Sequence, residues 1–300
     1  MITPSELKAL YAQGKNISAF LRDEGGTQFN TEEIIEISYD LQTESYIAAM
    51  EDEARAKHQR EYTGEIAKTI LSLCKPMSIL EAGVGEATTL SGVVRHMGAG
   101  IKTYGFDLSW SRVAYARNWL RKQGFTSTVL CTGSLFHIPF SDNSIDVVYT
   151  SHSIEPNGGN EEPILRELYR ITKDYLVILE PGYELANDQA RRRMESHGYC
   201  KKLKQISDSL GYDVLEHKLF PFTSNPLNPT ALTVIRKCKT MESPSYVLAC
   251  PKFKTLLQEI GGMLFSPEAL VVYPILGGIP CLRIENGIFA SKYKEVMRAG

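Results

Sequence analysis

The sequence predicts an α/β fold built around a parallel sheet with helices on both faces. From Ser78 onward, short apolar segments of strand length alternate with amphipathic segments of helix length, a pattern typical of such sheets. The first apolar segment, 78–82, runs into a glycine turn, Gly83-Val-Gly85, that opens the next helix. A turn of this kind lets a ligand approach backbone that carries no Cβ, beside the free N–H groups of a helix start.

Each element follows from the periodicity and from turn residues. Residues 1–73 are helical in pattern, and Asn30-Thr31-Glu-Glu33 is a strong helix start, whereas Pro76 ends this region. Strands are predicted over 78–82, 102–107, 127–131, 145–150, 175–180, 212–219 and 231–237, and helices over 87–97, 110–123, 161–172 and 186–210. The last 60 residues differ, because Tyr273–Leu282 reads as a strand, a glycine turn and a second strand. We therefore predict an N-terminal helical cap (1–73), a central domain (74–240) and a small C-terminal module (241–300).

Composition narrows the class of protein. With 300 residues, 43% hydrophobic and 23% charged, the chain has the make-up of a globular protein, and its net charge of -2 gives no basic field for nucleic acid. No stretch reaches the roughly 18 apolar residues that cross a bilayer, so we expect no membrane partner. Six cysteines are scattered without a disulfide framework, which favours a reducing, cytoplasmic location.

A second acid indicates a nucleotide-like cofactor. Asp107 ends the second predicted strand, where α/β proteins hold ribose hydroxyls. The turn lacks the third glycine of a dinucleotide fingerprint and is preceded by Glu81, which a dehydrogenase does not need. Two plainer interpretations stay open: a glycine turn without a ligand, and Asp107 as a helix N-cap, a role that Ser109 or Ser111 would fill equally well.

These motifs resemble those of the class I methyltransferases that use S-adenosyl-L-methionine (SAM). The resemblance rests on Glu81-x-Gly83-x-Gly85, on Asp107, and on a block from Gly133 through Ile138-Pro139-Phe140 to Asp146. It implies SAM as the cofactor and a Rossmann-like seven-stranded sheet, closed by an antiparallel hairpin, with an N-terminal helical cap and a small C-terminal α+β module.

The resemblance also implies a set of cofactor-binding residues. The glycine backbone would lie under the methionyl part, Glu81 would face the ammonium or sulfonium or fix the loop, and Asp107 would accept both ribose hydroxyls. Leu108 would cover the adenine, and Ser134 stands where the family has an acid for the adenine amino group. The full set is Glu81, Ala82, Gly83, Gly85, Asp107, Leu108, Gly133, Ser134, Leu135 and Ser151.

Candidate catalytic residues follow the fourth and fifth strands, because ligands of open α/β sheets lie at the carboxyl ends of the strands. His152 is a candidate general base, although a loop histidine bonded to backbone is an equally good interpretation. Glu155 and Glu180 would hold an amino or hydroxyl group of the acceptor, and Tyr183 lies on the same rim. In the N-terminal helices, aromatic residues such as Tyr39 and Tyr62 would pack in the core or face the substrate pocket.

The predicted function is transfer of a methyl group from SAM to N or O of a small polar acceptor, giving S-adenosylhomocysteine. The motifs 152–159 and 180–185 resemble a bacterial methyltransferase subgroup that we associate with surface-glycan and sugar pathways, so a sugar or a surface-glycan precursor is one acceptor class. Two alternatives stay open: a non-catalytic, methyltransferase-like binding partner of another enzyme, and a methyltransferase that modifies RNA.

The C-terminal region resembles the Trm112-like zinc-ribbon module. Cys250-Pro-Lys-Phe253 and Ser266-Pro-Glu-Ala269 stand where that module has its two cysteine knuckles, so one of four ligands remains and we predict no metal. Phe253 and Ala269 would form an apolar core instead. Such a module would brace the catalytic domain, shape the substrate mouth or mediate a homodimer, for which the N-terminal helices are a second candidate surface.

Overall fold

The computed structural model describes residues 2–98, 100–237 and 244–297. Its N-terminal region is helical, as predicted. The helices are α1 (Pro4–Ala12), α2 (Ile17–Gly25), α3 (Glu32–Leu41), α4 (Ser45–Ala49) and α5 (Glu53–Leu73). Thr31 caps α3, because its hydroxyl accepts the Ile34 N–H at 3.2 Å. One face of α5 is buried against the central domain through Tyr62, Ile66 and Ile70.

The central region alternates strands and helices around one sheet. The elements are β1 (Ser78–Ala82), α6 (Thr88–Met97), β2 (Lys102–Asp107), α7 (Trp110–Lys122), β3 (Val129–Thr132), β4 (Ile145–Ser151), α8 (Glu161–Ile171), β5 (Thr172–Pro181), α9 (Asp188–Ser196), α10 (Leu203–Ser209), β6 (Asp213–Leu219) and β7 (Thr230–Arg236). The seven strands lie in the order β3-β2-β1-β4-β5-β7-β6. β1 to β5 pair in parallel, whereas β7 is antiparallel to β5 and β6. The predicted sheet and its closing hairpin are confirmed.

The predicted helical stretch over 186–210 is interrupted. The segment 186–210 forms two helices, α9 and α10, rather than one. Tertiary hydrogen bonds keep the intervening segment out of a helical conformation. Gly158 N–H donates to the Gly198 carbonyl at 3.1 Å, and Cys200 N–H donates to the Glu155 carbonyl at 2.9 Å. These bonds join the segment between the two helices to the loop after β4, so packing against that loop overrides local helix propensity.

The C-terminal region forms two small sheets. Its elements are β8 (Gln258–Ile260), β9 (Met263–Ser266), β10 (Val271–Tyr273), β11 (Ile275–Leu276), β12 (Ile279–Pro280), β13 (Ile288–Phe289) and α11 (Tyr293–Val296). β11 and β12 pair across Gly277-Gly278, whose φ angles of +57° and +79° suit a tight hairpin turn. The predicted strand, turn and strand are therefore confirmed, whereas the predicted boundary at 240/241 lies outside the described residues.

The predicted apolar replacement of the metal site is wrong in one part. Phe253 is 50% exposed, so it does not fill a core. Cys250 is buried instead, with its sulfur 3.8 Å from the Tyr273 hydroxyl, and Ala269 packs at the edge of the same cluster. Within the described ranges, no three His, Cys, Asp or Glu side chains are grouped so that they could hold a metal ion.

The C-terminal region contacts both the central sheet and the cap. Leu282 N–H donates to the Thr132 carbonyl at 3.2 Å, which sets the C-terminal segment beside the edge strand β3 in a parallel bridge. The Arg283 guanidinium lies 2.5 Å from the Glu36 carboxylate of α3, with side chains 13% and 35% exposed. The three regions therefore meet beside the carboxyl end of β3. Among the described residues, no helix is both long enough and apolar enough to cross a membrane.

Candidate functional site

A cleft lies at the carboxyl ends of the parallel strands, at the edge where α/β sheets bind ligands. The glycine turn after β1, the acid that ends β2, and the loops after β3 and β4 form its walls, and α3 covers it. We call this space the main cleft. Its lining residues are Glu32, Ile35, Glu36, Tyr39, Gly83, Phe106, Asp107, Leu108, Ser109, Arg112, Gly133, Leu135, Phe136, His152, Ser153, Pro156 and Asn157.

The glycine turn packs directly against the loop after β4. Gly83 has a φ of +72°, and a Cβ at this position would lie 2.2 Å from the Ser153 Cβ. Only glycine therefore fits both the backbone conformation and the space. Ser153 lines the cleft, and its buried hydroxyl has no hydrogen-bond partner in the described structure.

Asp107 connects the turn to the end of β2. Its carboxylate accepts the Gly85 N–H at 2.9 Å and the Ser109 N–H at 3.0 Å, and the residue lines the cleft. Ser109 is the N-cap of α7, since its hydroxyl accepts the Arg112 N–H at 3.1 Å. The capping role is thus filled by Ser109, and Asp107 keeps acceptor capacity towards the cleft.

Glu81 lies behind the glycine turn. Among the described residues, it does not belong to the cleft lining. It is 2% exposed and accepts the Tyr149 hydroxyl at 3.0 Å and the Leu90 N–H of α6. Burial raises the pKa of its carboxyl to about 8. Of the two placements the sequence left open, the geometry fits fixing the loop. Because Glu81 accepts the Leu90 N–H, one of the free N–H groups at the start of α6 is bonded to protein and is not left for a ligand.

The other predicted cofactor residues lie at different depths. Leu108, Gly133 and Leu135 line the cleft. Ala82 is fully buried in β1, and the Ser151 hydroxyl lies 2.8 Å from the Tyr62 hydroxyl of α5. Neither belongs to the cleft lining among the described residues. Ser134 is 3% exposed and donates its hydroxyl hydrogen to Glu32 of the cap.

His152 and Glu155 form a bonded pair at the cleft. His152 has a φ of +57°, a strained value for a residue with a side chain, and its Nδ1 bonds to the Glu155 carboxylate. Its Nε2 lies 2.9 Å from the Thr230 hydroxyl. Burial would lower the pKa of His152, but the charge and hydrogen bond of Glu155 outweigh it and raise that pKa above its ordinary value. Of the two interpretations left open, the ring therefore bonds to side chains rather than to backbone.

Glu155 stays ionised beside this histidine. Burial would raise its pKa, but His152 and hydrogen bonds from Tyr199 and Asn228 lower it overall. Asn228 Nδ2 lies 3.3 Å from both carboxylate oxygens. An ionised Glu155 fixes the hydrogen of neutral His152 on Nδ1, which leaves Nε2 as the basic nitrogen.

Glu180 supports the loop instead of facing the cleft. Its carboxylate accepts the N–H groups of Ser153, Ile154 and Glu155 at 3.0, 3.1 and 2.9 Å. The residue is 1% exposed, and burial raises its pKa to about 7. Contrary to the prediction, its oxygens are used by backbone and are not directed at an acceptor.

Tyr183 points away from the cleft. It lies in a 3₁₀ turn over Tyr183–Leu185, and its hydroxyl donates to the Glu195 carboxylate of α9 at 2.6 Å. Arg191 and Lys201 lie over its ring at 5.7 and 5.8 Å. Tyr183 is not part of the cleft lining among the described residues, so the geometry does not bring it together with the other predicted catalytic residues.

Glu32 and Arg112 line the cleft but were not singled out from the sequence, which left the direction of Tyr39 open. Glu32 and Tyr39 come from α3, and only the docking of the cap brings them there. Arg112 lies between the rings of Tyr39 and Tyr46, at 5.2 and 4.7 Å from their centroids, with its Nε unpartnered in the described structure. A cation shortly after Asp107 was the available signal for Arg112. No local signal marks Glu32, and none shows which tyrosine of the cap faces the cleft.

A second cavity adjoins the main cleft. Tyr39 and Pro156 line both, and Glu155 lies in the wall of the second, which we call the side cavity. The rest of its lining combines aromatic rings with polar and charged groups: Tyr11, Gly14, Lys15, Asn16, Ile17, Ser18, Arg22, Asn30, Gln42, Tyr46, His197 and Tyr199. The Arg22 guanidinium is already bonded to the Asn30 side chain at 2.7 Å and to the His197 carbonyl at 3.0 Å.

Comparison with known proteins agrees with this geometry. Residues 73–216, just under half of the chain, match a family model described as a methyltransferase domain. This segment is therefore similar to a methyltransferase domain, and the similarity supports the predicted cofactor, SAM.

Solved structures give the methyltransferase domain the same fold. Magnesium protoporphyrin IX methyltransferase from Synechocystis PCC 6803, solved with bound SAH, is similar with a TM-score of 0.53 and 13% identity, over 69% of this chain and 100% of that chain. A putative O-methyltransferase from Nostoc punctiforme PCC 73102 is similar with a TM-score of 0.51 and 13% identity, over 67% of this chain and 60% of that chain. At this identity the likeness is one of fold.

Proposed function

We propose that this chain transfers a methyl group from SAM to N or O of a small polar acceptor and releases S-adenosylhomocysteine. The observation that carries the proposal is the main cleft, where Gly83, Asp107 and His152 lie at one edge of the sheet and His152 is bonded to Glu155. A cofactor site and a proton acceptor are therefore adjacent, as methyl transfer to a protonated group requires.

The cleft residues fit SAM. Gly83 brings backbone without a Cβ to the cleft wall, and Asp107 has free acceptor capacity for ribose hydroxyls. Arg112 is the cation of the cleft wall among the described residues, and its unpartnered Nε fits the carboxylate of the cofactor. When bound, SAM supplies a methyl group on a positively charged sulfur, which an acceptor lone pair attacks.

His152 is proposed as the base. Its Nε2 would take the proton that the acceptor loses, and ionised Glu155 would stabilise the resulting imidazolium through Nδ1–H. Thr230, 2.9 Å from Nε2, would orient the ring or exchange a hydrogen bond with the acceptor. Glu180 acts through the loop, as a positioning residue, because its oxygens hold three loop N–H groups.

The side cavity is the proposed acceptor site. It shares Tyr39 and Pro156 with the main cleft, and its lining mixes tyrosines with Lys15 and Glu155. Such a lining suits a polar molecule with hydroxyl or amino groups. Within that class, the resemblance of the 152–159 loop to a sugar-pathway subgroup favours a sugar or a surface-glycan precursor.

Turnover tests the proposal. Methyl-labelled SAM would be offered with a panel of sugars, sugar nucleotides and amines, and with cell extract. We expect wild-type protein to label one acceptor class, and His152→Ala to lower kcat by about 10²–10⁴-fold, the usual contribution of a general base. His96→Ala, at an exposed position in α6, is the matched control.

Two outcomes would oppose it. Unchanged turnover in His152→Ala would remove the histidine from the chemistry. Wild-type protein that binds S-adenosylhomocysteine but labels nothing in the panel or the extract would favour the non-catalytic alternative.

For the C-terminal region we propose the bracing role. The bonds from Leu282 to Thr132 and from Arg283 to Glu36 support it, since they connect β3 and α3 beside the cleft. The Trm112-like resemblance, the cytoplasmic location and a homodimer stay predictions.

A further inference from the structure

We infer that Glu32 of the cap helix α3 binds the adenine amino group of the cofactor, in place of the acid that Ser134 replaces. This inference rests on the proposed function, because it assigns part of the SAM site. It concerns a residue outside 73–216, the segment that matches the methyltransferase family model.

Ser134 does not take over the task of the missing acid. Its hydroxyl oxygen accepts the Phe136 N–H at 3.0 Å, and its hydrogen is donated to Glu32 Oε1. Ser134 itself is buried, at 3% exposed, and both bonds are partly buried. The serine is thus engaged on the protein side, and its visible partner is a carboxylate from a distant part of the chain.

Glu32 presents that carboxylate to the adenine end of the main cleft. It lines the cleft together with Leu108, Leu135 and Phe136, the apolar residues that follow β2 and β3. The bond from Ser134 fixes one carboxylate oxygen, while no hydrogen bond from a described residue reaches the second, Oε2. An ionised carboxylate accepts at both oxygens, so Oε2 is the available acceptor.

The position of Glu32 on its helix is consistent with this role. It lies in the first turn of α3, where the helix dipole favours a negative charge, and Thr31 caps the same turn. Glu36, one turn further, also lines the cleft and is bonded to Arg283. The helix that carries Glu32 is therefore held from both the central domain and the C-terminal region.

The chemistry makes the inference specific. An amino group at position 6 of the purine donates to a carboxylate, and such a charge-assisted bond is stronger than a neutral one. A 6-oxo group in place of the amino group is an acceptor, so it cannot bond to the carboxylate, and the carboxylate oxygen would stay without a partner. A site built in this way rejects the analogue that lacks the matching group.

Calorimetric titration with S-adenosylhomocysteine and with its 6-oxo analogue S-inosylhomocysteine tests the inference. We expect wild-type protein to prefer the adenosyl form by about 10–100-fold. Glu32→Ala should weaken adenosyl binding by about tenfold and leave inosyl binding almost unchanged, so that the preference collapses. Glu32→Gln should also reduce the preference for the adenosyl ligand, since an amide can donate to the 6-oxo group. Glu33→Gln, on the exposed side of the same turn, is the matched control and should keep the wild-type preference.

The outcomes separate this inference from the proposed function. Adenosyl binding by wild-type protein, with an unchanged preference in both Glu32 variants, would overturn the role of Glu32 and leave the SAM site intact. Equal weakening of both ligands would assign Glu32 to cap docking alone and would also overturn it. Wild-type protein that binds neither ligand would overturn the proposed function itself.

Discussion

At the residue scale, the site depends on a few residues that close packing and hydrogen bonds hold in place. Gly83 touches the loop after β4, Asp107 holds the glycine turn to the end of β2, and His152 keeps a strained backbone while bonded at both ring nitrogens. Strain at such a residue persists only where its surroundings over-determine it. These contacts are why substitutions here should alter binding and turnover more than global stability.

Comparing Gly83→Ala with Gly211→Ala separates the steric clash of a new Cβ from the backbone strain of a positive φ. Gly211 has the same φ of +72° but nothing within 4 Å of its would-be Cβ. We expect Gly211→Ala to lower the free energy of unfolding by about 1 kcal/mol through strain alone. Gly83→Ala should cost several times more, or displace Ser153, and should abolish binding of S-adenosylhomocysteine. Urea unfolding and calorimetry measure both effects, and equal behaviour of the two variants would contradict the close packing of the turn.

The pH dependence of turnover should report His152. A base works in its neutral form, so activity should be lost as the pH falls through the pKa of His152, which lies above its ordinary value. Glu155→Gln removes the charge that raises this pKa, so the acid limb of kcat should move to lower pH while the maximum falls. If the acid limb of kcat stayed in place or moved to higher pH in Glu155→Gln, the titrating group would not be His152 paired with Glu155.

At the scale of elements, the loop after β4 is held from behind by β5. The Glu180 carboxylate accepts three consecutive loop N–H groups, an arrangement that a neutral amide cannot reproduce. The loop also bonds to the segment between α9 and α10. The position of His152 thus depends on elements that follow it in the chain.

Glu180→Gln should loosen this loop. One amide oxygen replaces two carboxylate oxygens, and its NH₂ group faces N–H donors, so we expect faster hydrogen exchange at residues 153–155 and a kcat about 10²-fold lower. Glu162→Gln, in an exposed pair with Arg166, should change neither quantity. Unchanged exchange at 153–155 in Glu180→Gln would show that these bonds do not hold the loop.

The same elements explain what the sequence could and could not predict. The glycine turn, Asp107 and the order of strands are local patterns, so the central sheet and one wall of the cleft were predictable. Glu32 was not predictable and the direction of Tyr39 stayed open, because both depend on how the cap packs, and no periodicity encodes that. Tyr183 follows β5 closely in sequence, but the 3₁₀ turn and the bond to Glu195 direct it to α9.

At the scale of the whole molecule, three regions share one site. The cap covers the cleft with α3, the central sheet supplies the glycine turn and the acids, and the C-terminal region connects the two. Arg283 bonds to Glu36 of α3, and the neighbouring Leu282 bonds to Thr132 at the end of β3. The C-terminal region therefore contacts both the cap and the sheet beside the cleft, without lining the cleft among the described residues.

Arg283→Ala tests this connection. Loss of the half-buried ion pair should free α3 and weaken binding of S-adenosylhomocysteine by about threefold to tenfold. Arg166→Ala, which removes an exposed pair within α8, should leave the affinity unchanged. An unaltered affinity in Arg283→Ala would remove the C-terminal region from the support of the site.

The most direct test of the account is calorimetric titration of S-adenosylhomocysteine into wild-type protein and Asp107→Ala. We predict saturable one-site binding to the wild type and at least about tenfold weaker binding to the variant, because charged hydrogen bonds to the ribose are lost. Asp188→Ala, at a side chain 83% exposed on α9, should bind like the wild type. Absence of binding to wild-type protein at millimolar ligand would contradict the account.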